Sequence, residues 1–427
     1  MSSVHEPDRS CRPLRSSNSH AKNEFPRAYW PSQRLLGLNA IRANPHCIGH
    51  SVTGTVDQGM TGEGLFTTFR ELKPGTVDAV FDGLAPLRWC LFVEPVHFYR
   101  GAKARLEAVL ANEDQLPPGS YPVRLAVFGP AQQLIWQSRT NLVIPARGAG
   151  GGSSFVVPVF SEGVAVDGPA GRYRFTATLE QGGAPAGGEV EFFVSDPAQL
   201  PKVDAEVVLW GEDAALQHWL SGRGIRHRPF RGAAETQRVV ILAGARPPTP
   251  GGATAFRELA TQLARGSSAV FLAPEVFSEG GKSGVYLPLS NKGSLARLGT
   301  WLYHKDEWAK PHPIFESLPT GLLDYAYYRE LIPDQVWAGQ DAPAEAVAGA
   351  NDCSIGYSSG LVLAVHRLGA GRFILNTLRL RETLGQHPAA DRLLVNLLRY
   401  AAQNSGQPLS ELPPDWAKQL QAIGYAP

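Results

Sequence analysis

A change of period near Val203 narrows the fold more than any other feature of this chain. Between Val96 and Asp196, apolar and polar residues alternate in the short runs ARLEAVLAN, YPVRLAVFG, LIWQS, FVVPVF, RYRFTATLEQ and EVEFFV, each closed by Gly, Pro, Asn or Asp. Period two with turn residues between the runs predicts an antiparallel sandwich. From Val203 the runs become unbroken and apolar and are separated by helical patterns. AEVVLWGE, DAALQHWLSGRG, RVVILAG, ATAFRELATQLARG and SSAVFLAPE read β-α-β-α-β. Strands without a polar face need cover on both sides, so this half predicts a parallel sheet between helices. After an irregular stretch from Glu275 to Ala350, GLVLAVHRLGAGRFILNTLRL reads as a hairpin turned at Leu368 to Gly371, and PAADRLLVNLLRYAAQ as the last helix. A chain holding both patterns is a multidomain α+β protein, and 45 Gly and 34 Pro supply the turns that a sandwich requires.

Upstream, residues 1–24 (MSSVHEPDRSCRPLRSSNSHAKNE) are polar and without period, and read as a disordered leader. WPSQRLLGLNAIRANP puts Trp30, Leu35, Leu38 and Ile41 on one helical face, with Pro31 in the first turn and Pro45 ending the helix. Next comes IGHSVTGTVDQGMTGEGLFTTFRELKPGTVDAVFDGLAPLRWCLFVEP, from Ile48 to Pro95. Its short apolar run (Cys47, Ile48, Val52), its Gly-dense turn and its amphipathic segment read as strand, loop and helix. The run RWCLFV, from Arg88 to Val93, reads as a buried crossing into the sandwich. One βα unit cannot bury both faces of its strand, so it implies a barrel or sheet around it.

RANPHCIGHSVTGTVDQGMTGEG followed by FTTFRELKPGTVDAVFDGLAPLRWCLFVEP resembles the last βα unit and exit strand of a glycoside hydrolase family 2 TIM barrel, of the β-galactosidase-like kind. The α/β half resembles the flavodoxin-like and class I glutamine-amidotransferase-like fold that some glycosidases carry as a non-catalytic or trimerisation module. The resemblance implies a C-terminal portion of a large, retaining, carbohydrate-metabolising enzyme, because a whole barrel takes roughly 250 residues. The expected organisation is leader 1–24, incomplete barrel unit 25–95, immunoglobulin-like sandwich 96–200, α/β domain 201–404 and tail 405–427.

A retaining glycosidase needs two carboxylates about 5–5.5 Å apart. The resemblance places them on barrel strands that this chain does not contain, so no catalytic residue is assigned and no glycoside hydrolysis is expected from the chain alone. What remains of the pocket is the loop after the final strand, where Thr53, Asp57 and Gln58 either face a sugar or order a Gly-rich turn. Amidotransferase chemistry needs a Cys on a strand-to-helix turn, but that place holds Leu272, Ala273, Pro274 and Glu275. Gly356-Tyr357-Ser358-Ser359-Gly360 matches the serine-hydrolase elbow, yet a strand pattern follows where a helix is required. His304, Asp306, Glu307 and His312 match no common metal spacing. Gly62-Glu63-Gly64 and Gly369-Ala370-Gly371 lack the third glycine of a dinucleotide fingerprint. No metal or cofactor is therefore expected. Phe315, Tyr325, Tyr327, Tyr328 and Trp337 fit either sugar stacking or core packing.

Cys11, Cys47, Cys90 and Cys353 stand far apart, and Cys47 and Cys90 sit in apolar runs that predict buried thiols. Forty basic and 39 acidic residues, spread along the chain for a net charge of +1, offer no face for nucleic acid. No run is long enough to span a bilayer, and residues 1–24 lack the apolar core of a signal peptide. The chain as written is expected in the cytoplasm, or secreted or periplasmic if its true start lies upstream. The partners implied are a carbohydrate, further copies of the chain, or the missing N-terminal half. A non-catalytic carbohydrate-binding or oligomerisation scaffold is the alternative function, and chemistry at Ser358 or Cys353 is a remote third.

Overall fold

The computed structural model describes residues 25–47, 49–51, 54–57, 64–73, 75–146, 155–247, 252–298, 306–323, 325–353 and 357–426. They form a mixed α+β protein dominated by three sheets. The N-terminal helices are α1 (Phe25–Arg42) and α2 (Thr76–Gly83). Eight strands follow: β1 (Leu87–Glu94), β2 (His97–Tyr99), β3 (Lys103–Asn112), β4 (Gly119–Phe128), β5 (Leu134–Ile144), β6 (Val156–Ala165), β7 (Gly171–Leu179) and β8 (Glu189–Ser195).

They pair as a three-stranded sheet, β1-β3-β6, and a five-stranded sheet, β2-β8-β7-β4-β5. Side chains at alternate positions fill the space between the sheets, among them Trp89, Leu106, Leu110, Val123, Leu125, Phe175 and Phe192. PPGSYPV and PAGRYRF place equivalent tyrosines at strand starts. Tyr121 Oη donates to Pro117 O (2.8 Å) and Tyr173 Oη to Pro169 O (2.7 Å), each tying a strand to the turn four residues before it.

The outer face of the small sheet is covered as well, which explains why RWCLFV is apolar without alternation. Trp89, Leu91 and Val93 face the sandwich core, while Cys90 and Phe92 join Val109, Ala111 and Val156 beneath Ala43 of the N-terminal segment. Arg88, 1 % exposed, binds the helix pair to this face. Its guanidinium donates to Asn39 Oδ1 of α1 (2.8 Å) and to the main-chain oxygen (2.6 Å) and carboxylate (2.7 Å) of Asp82 in α2.

Cys47 departs from the sequence reading: it is exposed, and neither it nor residues 49–51 belong to a strand. A lone strand here would leave both edges unpaired. The chain instead folds on itself, with Val56 bridged to Phe66 and Phe66 to Leu72. Ile48, Val52, residues 147–154 and His304 lie outside the described residues.

The second half begins with β9 (Val207–Leu209), α3 (Ala214–Gly222), β10 (His227–Pro229), β11 (Val240–Ala243), α4 (Gly252–Ala264) and β12 (Ser268–Phe271). Then come β13 (Ser294–Arg297), β14 (Asp306–Ala309), β15 (Gly321–Leu322), α5 (Tyr325–Tyr328), β16 (Gln335–Ala338), β17 (Glu345–Cys353), β18 (Tyr357–Leu368) and β19 (Gly371–Asn376). The last helices are α6 (Leu380–Thr383), α7 (Pro388–Ala401) and α8 (Trp416–Ala422).

One large sheet runs β10-β9-β11-β12-β19-β18-β17-β14-β15. Its first five strands are parallel and the remainder antiparallel. Helices α3 and α7 cover one face; α4 and α8 cover the other. The segment after residue 404 is thus no loose tail, because Trp416, Leu420, Ile423 and Tyr425 are all under 10 % exposed and pack beside Phe256. The stretch from Glu275 to Ala350, irregular by sequence, holds five short or bulged strands.

Candidate functional site

Of the three loop residues singled out by sequence, Thr53 and Gln58 lie outside the described residues. Asp57 is half-buried, and its Oδ1 accepts from Gly64 N (2.8 Å) and Lys73 Nζ (2.7 Å). Both partners belong to the doubled-back segment, so the carboxylate's described role is to close that turn.

In a doubly wound sheet, ligands favour the crevice beyond the strand carboxyl ends where the strand order reverses. Here that point lies between β9 and β11, and the chain fills it with its own backbone. Gly211 adopts φ +91°, and a Cβ there would stand 2.1 Å from Ala245 O. Beside it, Asp213 caps α3 through Leu216 N (3.1 Å) and pairs with Arg381 Nε (2.6 Å).

A cleft of about 170 Å³ opens instead at the carboxyl ends of β12 and β19. Its lining includes Ala273, Glu275, Asp334, Gln335, Arg379 and Glu382. Asn376, buried, holds the floor together by donating to Leu272 O and Leu378 O, both at 2.8 Å. Pro274 opens a short 3₁₀ turn where an amidotransferase would carry its nucleophile. The one hydroxyl in the lining, Thr377, is directed to Val362 O (3.4 Å). The cleft has the polarity to hold a small ligand, and its lining presents no activated nucleophile.

Ser358 lies within β18 opposite Asp352 of β17, in a regular antiparallel ladder and not on a strand-to-helix elbow. Cys353 ends β17. Of the aromatics that fitted either sugar stacking or core packing, Phe315, Tyr328 and Trp337 are packed, each no more than 2 % exposed, and the Tyr325 side chain lies outside what the structure describes. Tyr327 packs its ring against His97 and Phe193 of the sandwich. His312 Nε2 contacts Glu345 Oε2 (2.8 Å), and among the described residues no His, Cys, Asp and Glu cluster is arranged to hold a metal ion.

The most developed polar constellation joins the sandwich to the α/β half. Asp391 of α7 is fully buried, and its Oδ1 accepts from Trp219 Nε1 (2.7 Å) and Gly385 N (2.8 Å). Its Oδ2 accepts from Arg223 and from Tyr99 Oη of β2. Burial, then the Asp391 carboxylate, drives the Tyr99 phenol well above its usual range, so it remains a donor. Next to it, His97 Nδ1 donates to Tyr327 O (3.3 Å) and Nε2 accepts from Ser195 Oγ (2.8 Å). His387 contacts Glu330 Oε2 (3.2 Å), and hydrogen bonding to this imidazole holds the Glu330 carboxyl below its usual range.

Ser195 and His97 have the spacing of a nucleophile and its base, but not the basicity. Desolvation, with His387 adding to it, lowers the His97 pKa to about 3. A general base works best with a pKa near the operating pH. The pair therefore serves as an interdomain fastening. No sequence signal marks it, because its members come from positions 97, 195, 327, 330 and 387.

No protein-family model matches this chain, and no curated protein matches it either. Among solved structures, it is similar to an exo-β-1,4-mannosidase from Opitutaceae bacterium strain TAV5 at 12% identity. That match covers 50% of this chain and 37% of the mannosidase, with a TM-score of 0.28. It is similar to a β-glucuronidase from Parabacteroides merdae at 8% identity, over 44% of this chain and 24% of that one, with a TM-score of 0.19. A Pseudomonas fluorescens alkylpurine DNA glycosylase bound to DNA matches at 14% identity, over 29% of this chain and 38% of the glycosylase, with a TM-score of 0.18. The chain thus spans less than two fifths of each of these three proteins, and at these scores none of the likenesses bears on what it does. Among the described residues no helix is long and apolar enough to cross a membrane.

Proposed function

We propose that this chain is the non-catalytic C-terminal portion of a family 2-like glycoside hydrolase, acting as a rigid scaffold and not hydrolysing glycosides alone. The observation that carries the scaffold reading is the buried network around Asp391, which fixes β2 of the sandwich against α3 and α7. A carboxylate with no exposed surface and four donors on it holds two modules in one orientation. In this reading Thr53, Asp57 and Gln58 would line a sugar pocket only once the rest of a barrel is present.

The test is hydrolysis of a panel of aryl glycosides, first by the chain alone and then with the polypeptide encoded immediately upstream. No turnover alone and turnover on mixing is the expected result. Stoichiometric turnover by the chain alone would defeat the proposal. No turnover on mixing, together with sugar binding by calorimetry, would transfer the assignment to a carbohydrate-binding scaffold.

A further inference from the structure

Among the described residues, the sandwich and the large-sheet half share no apolar core. The core of the sandwich draws on residues 87–194, and the cores of the other half on residues 203–426. Apart from the Tyr327 ring on Phe193, the described bonds and ring contacts between them involve polar or titratable groups. They are the Asp391 network, His97 against Tyr327 and His387, Arg329 with Glu94 (3.4 Å), and Arg392 donating to Gln199 O (2.8 Å). A joint of this kind permits two domains to move relative to each other about their covalent link, here residues 196–206.

Two imidazoles meet across the joint with ring centres 5.1 Å apart, and both are buried: His97 of β2 is 2 % exposed and His387, just before α7, 4 %. Each is held as a neutral ring. His387 Nδ1 accepts from Ala389 N (3.2 Å), which leaves its proton on Nε2, facing Glu330 Oε2 (3.2 Å). His97 gives its one ring proton to Tyr327 O and accepts from Ser195 Oγ with the other nitrogen. The charged groups around the pair are already engaged. In the turn at residues 329–331, Glu330 faces His387 and Arg329 pairs with Glu94. On α7, Asp391 takes Arg223 and Tyr99, and Arg392 adds a further positive charge. His97 thus has no carboxylate of its own, and a proton on it would be a buried, unpaired charge beside a second imidazole, which is costly.

We infer that this joint is an acid-released latch, in which protonation of His97 parts the sandwich from the large-sheet half while each half keeps its own fold. In the closed joint, burial, with His387 adding to it, lowers the His97 pKa to about 3. An opened joint returns the ring to water, where a histidine takes its proton near about 6.5. Closure is therefore fully favoured above that value and loses ground as pH falls toward 3. Relative to neutral pH, opening gains about 30-fold at pH 5 and about 100-fold at pH 4.5. Glu330, held below its usual range by His387 in the closed joint, works in the same sense at lower pH. The latch goes beyond the proposed function and does not rest on it: the scaffold is rigid at neutral pH and hinged in acid.

Fluorine NMR of the full chain carrying 5-fluorotryptophan, with small-angle scattering beside it, tests this. Trp219, whose Nε1 donates to Asp391, reports on the joint, while Trp89 in the sandwich core and Trp337 in the large-sheet half report on the two halves. The expected result between pH 7.5 and 4.5 is a reversible change at Trp219 and a larger radius of gyration, with Trp89 and Trp337 unmoved. Tyr99→Phe removes one bond of the latch and adds no charge, and should bring the change to higher pH. His97→Gln should abolish it, and native Trp89 and Trp337 signals at pH 7.5 would show that each variant is folded. Three results overturn the inference: no change at Trp219 down to pH 4.5 in either the wild-type chain or Tyr99→Phe, a change that Trp89 and Trp337 share, or one undiminished in His97→Gln. None of these readouts depends on glycosidase activity, so this inference can fail while the proposed function stands.

Discussion

Asp391→Ala is the most informative single perturbation of the scaffold. The substitution removes a carboxylate from a fully buried position and strands Trp219 Nε1, Gly385 N, Tyr99 Oη and Arg223. Removing one partner of a buried ion pair costs about 3–5 kcal/mol, and each buried donor left unmade about 1–3 kcal/mol. These figures do not add, because the Arg223 side chain keeps 20% of its surface and can turn toward water. A net loss of about 3–5 kcal/mol is expected, a large share of the 5–15 kcal/mol that typically holds a domain together. Asp391→Asn keeps an oxygen for Trp219 and Gly385 and should cost less, about 1–3 kcal/mol.

Urea unfolding followed by circular dichroism gives the magnitude. Limited proteolysis between residues 195 and 207, the link between sandwich and large sheet, reports whether the two halves separate. A loss below about 1 kcal/mol with unchanged proteolysis would refute the claim that this network is what joins them.

Two further outcomes follow from groups whose titration the fold alters. His97 and His366 are lowered from an ordinary 6.5 to about 3 and about 4, desolvation by burial being the first cause for both. The unfolded chain takes up these protons as pH falls below 6.5 and the folded chain does not. Their contribution is therefore complete above 6.5 and lost as pH falls toward 4 and then 3, at up to about 1.4 kcal/mol per pH unit for each histidine. Asp306, raised by burial and then by Glu307 and Asp352, acts in the opposite sense and offsets part of the loss. Urea midpoints should fall from pH 6.5 to 5 and flatten in His97→Gln, and a flat wild-type profile would contradict this. For the thiols, Cys47 is exposed, whereas burial pushes Cys90 up to about 11. With Cys11 and Cys353 replaced by Ser, a maleimide should label one site natively and a second only in denaturant; rapid native labelling of both would place Cys90 wrongly.

Much of the framework was legible because long elements carry their own period. The runs beginning at Ala104, Tyr121, Arg172 and Glu189 became β3, β4, β7 and β8, and PAADRLLVNLLRYAAQ became α7. The paired Gly-then-Tyr starts of two strands proved to be the same hydrogen-bonded corner. The short strands β2, β10, β13 and β15 were not legible, since so few positions show no alternation and they lack the unbroken apolar runs that marked the equally short β9, β11 and β12. Cys47 misled because an apolar neighbour in sequence says nothing about whether a strand partner exists. The fastening around Asp391 and His97 was out of reach for another reason: its residues acquire a common environment only when distant segments meet.

The place of Trp416 to Tyr425 in the large sheet's second face also sets a timetable for synthesis. Phe256 and Leu259 of α4 leave the ribosome long before the residues that roof them, with more than 150 residues of chain intervening between α4 and α8. At roughly 5–20 residues per second that interval is on the order of ten to thirty seconds. During it, the nascent sheet has one side shielded only in part, while the sandwich upstream is already complete. The face of the large sheet beneath α8 is therefore among the last parts of the molecule to be covered as the chain is made, well after the sandwich is complete.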